Sequence, residues 1–172
     1  MKQYSNMILI AGSGRNVGKT LLACRIIETL STNSEVYAVK VSSHFHILDD
    51  EAAILIQSDD FCIVEENLLT GKDSSRMLQA GARKVFYVQC KNQNLPKMFE
   101  HLSTYLPDDK PVIIESGGLY NIIEPHIFYY IKGDDTSKEK KVHEGNNKVI
   151  VSPGEALELD VQALFETKTQ ND

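Results

Sequence analysis

A strand-to-helix junction near the start of the chain constrains the fold more than any other segment. The apolar run Ile8–Ala11 leads into a glycine-rich loop that ends in Gly18-Lys19-Thr20, and apolar residues then recur at helical spacing. Such a run is typical of a buried strand, and the loop after it can point its backbone N–H groups inward. A helix that starts near Gly18 adds the positive end of its dipole. This order predicts a site for the polyphosphate of a nucleoside triphosphate.

The loop also supplies specific side chains for that site. Glycines tolerate the positive φ angles and the close approach that wrapping a phosphate requires. Lys19 can reach the β- and γ-phosphates, and the Thr20 hydroxyl is placed to bind Mg²⁺. The usual Gly-x-x-x-x-Gly-Lys-Thr spacing would put its first glycine at position 13, which is Ser13. The alternative is a turn without a ligand. The predicted nucleotide-binding residues are Gly12, Ser13, Gly14, Arg15, Asn16, Val17, Gly18, Lys19, Thr20 and Leu21.

Glu115 is the second predicted anchor of the site. It ends the apolar run 111–115, and open α/β sheets bind ligands at the carboxyl ends of their strands. An acid at that position can hold Mg²⁺ or orient an attacking water molecule. The alternative is a glutamate that faces solvent. We therefore expect Lys19 and Glu115 to be catalytic, and Thr20 and Glu115 to hold the metal ion.

Further polar residues follow the second predicted strand and precede a predicted helix. Histidines spaced two apart share one face of an extended segment, where they can contact a substrate, hold a transition metal or lie exposed. An aspartate at a helix start can contact substrate or be an N-cap. The residues predicted to face a substrate are Lys40, His44, His46, Lys72, Asp73 and Arg76.

The order of predicted elements indicates a three-layer α/β P-loop NTPase fold with a mostly parallel sheet, formed by one domain over residues 1–172. The second predicted strand covers 36–41, so the opening is a strand–helix–strand unit with parallel strands. The other predicted strands are 61–64, 85–89, 111–115, 127–131 and 148–151, with the last two paired around a solvated polar stretch at 133–147. The predicted helices are 19–30, 47–57, one capped by Asp73 or Ser74 that ends at Gly81, 95–105 and about ten residues after Gly154.

Composition excludes several classes of protein. The net charge of −6 argues against general nucleic-acid binding, because no basic excess is present to neutralise a phosphate backbone. Three scattered cysteines without a Cys-x-x-Cys pair predict buried thiols in a reducing compartment. No apolar run reaches about 20 residues and no signal-peptide pattern begins the chain. We expect a cytoplasmic protein that does not bind membranes.

Several segments together resemble one family, the molybdopterin-guanine dinucleotide biosynthesis adapters (MobB). The shared features are the loop, a Lys-x-x-x-His-x-His stretch from Lys40 to His46, the segment 71–76 followed by Gln79-Ala80-Gly81-Ala82, and a strand that ends at Glu115. The likeness covers most of residues 6–132. It implies a P-loop protein that binds GTP and Mg²⁺, forms a homodimer and assists a molybdenum-cofactor biosynthesis protein. Slow hydrolysis is expected, because the sequence shows no obvious arginine finger or water-positioning glutamine. Arg15 and Arg76 are the nearby candidates.

Two alternatives remain open from the sequence. The longer loop spacing also resembles that of dethiobiotin synthetase, which implies an ATP-dependent enzyme acting on a small molecule. The second alternative is a non-catalytic module that signals through nucleotide-dependent dimerisation. No Asn-Lys-x-Asp motif for reading guanine occurs in the chain, so the residues do not discriminate GTP from ATP.

Overall fold

The structure is a computed structural model, and it describes residues 1–133 and 147–162. The described residues form eight strands, four α-helices and two short 3₁₀ turns. The strands are β1 (Lys2–Gly12), β2 (Tyr37–Ser42), β3 (Ala53–Gln57), β4 (Phe61–Glu65), β5 (Lys84–Cys90), β6 (Val112–Glu115), β7 (Ile123–Ile131) and β8 (Lys148–Val151). The helices are α1 (Lys19–Ser31), α2 (Asp73–Gln79), α3 (Leu95–Ser103) and α4 (Pro153–Glu158).

All eight strands belong to one sheet, in the order β3-β4-β5-β2-β6-β1-β7-β8. The pairs from β5 to β8 are parallel, and β4 runs antiparallel to both of its neighbours. The expected α/β architecture with a mostly parallel sheet is therefore confirmed. Strand β1 lies between β6 and β7, so its carboxyl end is at the interior of the sheet rather than at an edge.

Helices cover both faces of the sheet, and the alternation of side chains along β1 explains why. Leu9 packs into one apolar cluster with Phe99 of α3, while Ile8 and Ile10 pack into the other with Ile26 of α1. Successive side chains of a strand point to opposite faces, so an unbroken apolar run fills both clusters. Helices α1, α2 and α4 contribute to the second cluster.

The segment 47–57 differs from its prediction as a helix. Residues 53–57 form strand β3, in which Ile54 pairs with Val64 and Ile56 pairs with Ile63 of β4. Branched side chains fit a pleated surface better than a helix, and the hairpin supplies backbone partners that an isolated short helix lacks. The turn is closed by Ser58, whose N–H donates to the Phe61 carbonyl oxygen at 3.0 Å.

The carboxyl-terminal elements agree with the sequence in part. Strands β7 and β8 pair in parallel, which confirms the predicted pairing. Helix α4 is six residues long rather than ten; Ser152 and Glu155 cap its start, and Leu159 leaves the helical conformation. Most of the polar stretch 133–147 and the tail after Glu166 lie outside the described residues.

The three cysteines are buried free thiols, as the sequence predicted. Burial raises the pKa of each, and it raises that of Cys90 to about 11. Across residues 1–133 and 147–162, every helix is too short or too polar to cross a bilayer.

Candidate functional site

The candidate site lies where neighbouring strands β2, β6 and β1 end. The chain leaves β1 through α1 to reach β2 on one side, and it leaves β6 to reach β7 on the other side of β1. Such a reversal opens a crevice outside the carboxyl ends of the strands, where α/β proteins bind ligands. The sheet therefore gathers the loop after β1, the end of β6 and the end of β2, which sequence analysis singled out separately.

The loop between β1 and α1 depends on three positions. Asn16 and Gly18 have φ angles of 58° and 97°, in the left-handed region. A Cβ atom on Gly12 would lie 2.8 Å from Val17 Cγ2 and 2.9 Å from the carbonyl oxygen of Ile131. Position 12 therefore requires glycine, because Val17 and the Ile131 carbonyl oxygen leave no room for a side chain. Gly14 differs from Gly12 and Gly18, because its φ is not positive and a Cβ there would meet open space.

Ser13 occupies the position where the usual loop has glycine, and its contacts explain the difference. Its N–H donates to the Ile131 carbonyl oxygen at 3.0 Å, and its hydroxyl accepts from the Gly133 N–H at 2.9 Å. Gly133 itself packs against Val17, which a Cβ atom would approach to 2.9 Å. These bonds attach the loop to the end of β7.

Helix α1 begins at Lys19 with its first backbone N–H groups directed to the crevice end. It has no side-chain cap and no acidic residue in its first turn, so neither neutralises the positive end of the helix dipole. The Lys19 ammonium donates to the carbonyl oxygen of Gly14 within the loop. Arg15, Lys19 and Lys40 line a cavity of about 810 Å³ together with Glu115. Its lining is predominantly basic, which suits an anion.

The ten residues predicted to bind nucleotide all line cavities at this site. The larger cavity is bordered by Gly12, Ser13, Gly14, Arg15, Val17 and Lys19. An adjoining cavity of about 490 Å³ is bordered by Asn16, Gly18, Thr20 and Leu21, with Arg15 and Lys19 shared. We refer to these two together as the loop cavities.

A charged network forms the floor of the site. The Thr20 hydroxyl donates to Glu115 Oε2 at 2.8 Å, and Lys40 Nζ lies 2.6 Å from Glu115 Oε1 and 2.7 Å from Asp73 Oδ2. Glu115 is only 3% exposed, so these partners take the place of water around its carboxylate. The network joins α1, β2, α2 and β6 through four side chains.

The network also shifts protonation. Burial lowers the pKa of Lys40, but Glu115 and Asp73 outweigh that effect and raise it above its ordinary value. Burial raises the pKa of Asp73, but its hydrogen bond and charge interaction with Lys40 outweigh burial, with contributions from Thr20 and Arg76, and lower it. Both groups are therefore charged around neutral pH.

Oxygen donors in this network suit magnesium. Mg²⁺ is commonly bound by one or two carboxylates together with phosphate oxygens and water. The Thr20 hydroxyl and the Glu115 carboxylate are adjacent. The carboxylates of Glu115 and Asp73 both contact the Lys40 ammonium group. No cluster of three or more His, Cys, Asp or Glu side chains suited to a metal ion occurs in the part of the chain that the structure describes. A transition-metal site at His44 and His46 accordingly has no third such ligand there.

The predicted substrate-facing residues fall into two groups. Lys40, His44, His46, Asp73 and Arg76 line the loop cavities. His44 Nε2 lies 3.1 Å from Arg15 Nη2, and since a guanidinium only donates, that histidine nitrogen accepts.

Lys72 does not line the loop cavities; it forms an exposed ion pair with Asp49 at 2.6 Å and borders a third cavity with Lys40, His46 and Asp73. The predicted cap of helix α2 was wrong. Its N-cap residue is Lys72 and no side chain caps it; Asp73 bonds Lys40 instead, and the Ser74 hydroxyl donates to Glu66 at 2.6 Å.

Sequence reasoning missed a third cavity, which adjoins Lys40 and Asp73 and includes Glu66, Tyr87 and Gln89. The available signal was the alternation of Tyr87 and Gln89 in an otherwise apolar strand, which puts both on one sheet face. Sequence periodicity alone does not show that the neighbouring loop leaves a cavity over Tyr87 and Gln89.

Comparison of the chain with profiles of protein families, with curated protein sequences and with solved structures gave no match in any of the three.

Proposed function

We propose that this chain is a P-loop protein that binds a nucleoside triphosphate with Mg²⁺ in the loop cavities. The observation that carries the proposal is the 2.8 Å contact between Thr20 and Glu115, directly at the uncapped start of α1. Backbone N–H groups, the helix dipole and the Lys19 ammonium favour phosphate there. The adjacent hydroxyl and carboxylate supply the oxygen ligands that Mg²⁺ prefers.

In the proposed mechanism, the residues of this chain mainly position and neutralise the polyphosphate. Lys19 stabilises charge on the β- and γ-phosphates. Thr20 and Glu115 would hold the Mg²⁺ ion, which would supply further neutralisation of phosphate charge. Lys40 holds the Glu115 carboxylate in place through their ion pair. The two arginines that line the loop cavities already have partners there, Arg15 with His44 and Arg76 with Asp73 at 3.7 Å. We therefore expect slow hydrolysis.

Calorimetry with GTP, ATP and both diphosphates, with and without Mg²⁺, tests this proposal. We expect triphosphate binding that strengthens with Mg²⁺, and a loss of at least about tenfold in affinity for Lys19→Ala, as expected for a lost charge-assisted contact. Lys97→Ala is the matched control, because Lys97 forms an exposed ion pair with Asp60 at 2.8 Å away from the loop. Unchanged affinity in Lys19→Ala would refute the role of this residue.

GTP is the nucleotide that we propose, with a molybdenum-cofactor biosynthesis protein as partner and a homodimer as the assembly. These three points rest on the resemblance of the loop and of the segment 71–82 to the MobB adapters. A preference of the wild-type chain for GTP in the same titrations supports them, as does a dimer in gel filtration. Equal affinity for ATP would remove the support for a guanine-specific adapter.

The third cavity favours a second candidate function, an ATP-dependent enzyme that acts on a small molecule. It adjoins the proposed phosphate site at Lys40 and Asp73, as an acceptor pocket would. The discriminating measurement is ATP turnover with and without added small acceptors. Turnover that depends on an acceptor would select the enzyme over the adapter.

A further inference from the structure

The third cavity has a volume of about 490 Å³, and we call it the β5 cavity. Strands β2 and β5 pair Lys40 with Tyr87 and Ser42 with Gln89, so these side chains form one floor. The segment 46–52 and the start of α2 form its walls. A cavity of this size matches the range of small-molecule sites in proteins.

A largely buried amide presents an acceptor to the β5 cavity. Gln89 is only 3% exposed, and its Nε2 donates to the His46 carbonyl oxygen at 3.0 Å. Because a carbonyl needs a donor, this bond fixes the orientation of the amide and leaves Oε1 as an acceptor. Within residues 1–133 and 147–162, Oε1 has no protein donor. Oε1 itself keeps some solvent exposure, so it opens onto the cavity, where a ligand N–H or O–H can replace water as its donor.

The charges around the cavity favour a donor over an anion. Its lining contains three carboxylates, on Asp49, Glu66 and Asp73, and two ammonium groups. Both ammonium groups are paired, Lys72 with Asp49 and Lys40 with Asp73 and Glu115. The formal charge is thus negative, opposite to that of the larger loop cavity, and a carboxylate or phosphate ligand would be repelled.

Part of the lining is apolar. Val64 lies beside Tyr87 on the same face of the sheet, and Leu48 and Leu68 add further apolar surface. A ligand with an apolar or aromatic body would bury surface against them, while its donors meet Gln89 Oε1 and the carboxylates. Apolar walls with a few convergent polar groups are the usual composition of a small-molecule site.

We propose that the β5 cavity binds a second small molecule, neutral or singly cationic, with an apolar body and several N–H or O–H donors. Lys40 and Asp73 line both the β5 cavity and the adjoining loop cavity, so this molecule would lie beside the nucleotide. Its assignment as a companion of the nucleotide therefore rests on the proposed function. The cavity and its acceptors do not depend on that function. The two ligands would divide by charge, with the polyphosphate on the basic side and the donor-rich molecule on the acidic side.

Three probes with one ring system test the chemistry. 2-Aminobenzimidazole carries several N–H donors, and benzimidazole carries fewer. Benzimidazole-2-carboxylate carries a negative charge, opposite to that of the ligand we propose. We expect ¹⁵N NMR titrations without nucleotide to show binding of 2-aminobenzimidazole, with shifts of the Gln89 side-chain amide. The carboxylate should bind at least about tenfold more weakly, because the lining repels it. Equal binding of all three probes, or none by 2-aminobenzimidazole, would overturn the proposal.

Blocking the cavity supplies a matched pair of variants. Ala52 lines the cavity and Ala53, its neighbour in the chain, does not. We expect Ala52→Phe to weaken 2-aminobenzimidazole at least about tenfold, because its ring fills the binding space, and Ala53→Phe to change it less than about twofold. Native-like amide spectra of both variants ensure that the comparison concerns binding and not folding. Loss in both variants, or in neither, counts against the cavity.

The nucleotide base is the other source of a donor-rich ring, and a separate arm distinguishes it. GTP and inorganic tripolyphosphate are titrated into the wild-type chain and into Ala52→Phe. We expect neither affinity to change. If Ala52→Phe weakens GTP but not tripolyphosphate, the cavity holds the base and the second-ligand proposal is wrong. If no nucleotide binds while 2-aminobenzimidazole still does, the proposed function falls and the cavity assignment stands.

Discussion

The Thr20 hydroxyl donates to Glu115 Oε2 at 2.8 Å, across a separation of 95 residues in the chain. The register of β1 with β6 makes this contact, because Ile10 lies opposite Glu115 and the helix that starts after the loop returns over the same strand end. A hydroxyl from a helix start and a buried carboxylate are thus held together before any ligand arrives. The relationship leads to the first prediction.

Glu115→Gln should weaken the Mg²⁺-dependent part of triphosphate affinity by about tenfold or more, because an amide is a poorer ligand for a hard cation. The same change should destabilise the fold by about 1–3 kcal/mol, since it removes the charge that partners Lys40 inside the site. Calorimetry with and without Mg²⁺ and urea denaturation measure the two effects. Glu35→Gln, in an exposed pair with Arg83 at 3.5 Å, is the control and should change neither. Mg²⁺ dependence that survives in Glu115→Gln would exclude this carboxylate as a ligand.

Two lysines with short ion pairs should differ sharply in their effect on stability. Lys40→Met leaves Glu115 buried and without its cation, which should cost about 3–5 kcal/mol. Lys72→Met breaks an exposed pair with Asp49 and should cost no more than about 1 kcal/mol. Urea denaturation of both variants checks the contrast. Similar losses would mean that burial does not govern the strength of these pairs.

Stability should be lost at both extremes of pH, and the directions follow from two shifts. The pKa of Asp73 is lowered in the fold, so its stabilisation is complete above the ordinary value of 3.8 and declines as the pH falls through the folded value. The pKa of Lys40 is raised, so its stabilisation is complete below 10.5 and declines as the pH rises through the folded value. Denaturation of the wild-type chain and of Asp73→Asn across this range measures the difference. If Asp73→Asn loses stability at low pH to the same extent as the wild type, Asp73 is not the group responsible for that loss.

Two loop glycines should respond differently to the same substitution. Gly12→Ala places a Cβ 2.9 Å from the backbone oxygen of Ile131, which cannot move cheaply, so we expect a loss of about 1–3 kcal/mol. Gly14→Ala meets nothing within 4 Å and should be nearly neutral for stability. Thermal denaturation of both variants is the measurement. Equal destabilisation would show that the loop does not keep this conformation in solution.

Local patterns in the sequence were sufficient for some elements and insufficient for others. The run that ends at Gly12 and the apolar periodicity after Lys19 predicted β1 and α1 correctly, because their burial pattern is repeated over many residues. The helix expected at 47–57 was wrong, since a short apolar segment is compatible with either structure and pairing with β4 decided it. The cap assigned to Asp73 failed for a similar reason: a cation from a distant strand outcompeted the local backbone N–H groups.

By itself, the sequence determined the α/β class, the glycine-rich junction between β1 and α1, and the acid at the end of β6, because each depends on residues close together in the chain. Tertiary structure alone decided that Lys40 bridges Asp73 and Glu115, and that Gln89 lies at the floor of a cavity. The physical reason is that strand order brings these residues together. That order follows from the packing of the whole sheet and not from the periodicity of any one segment.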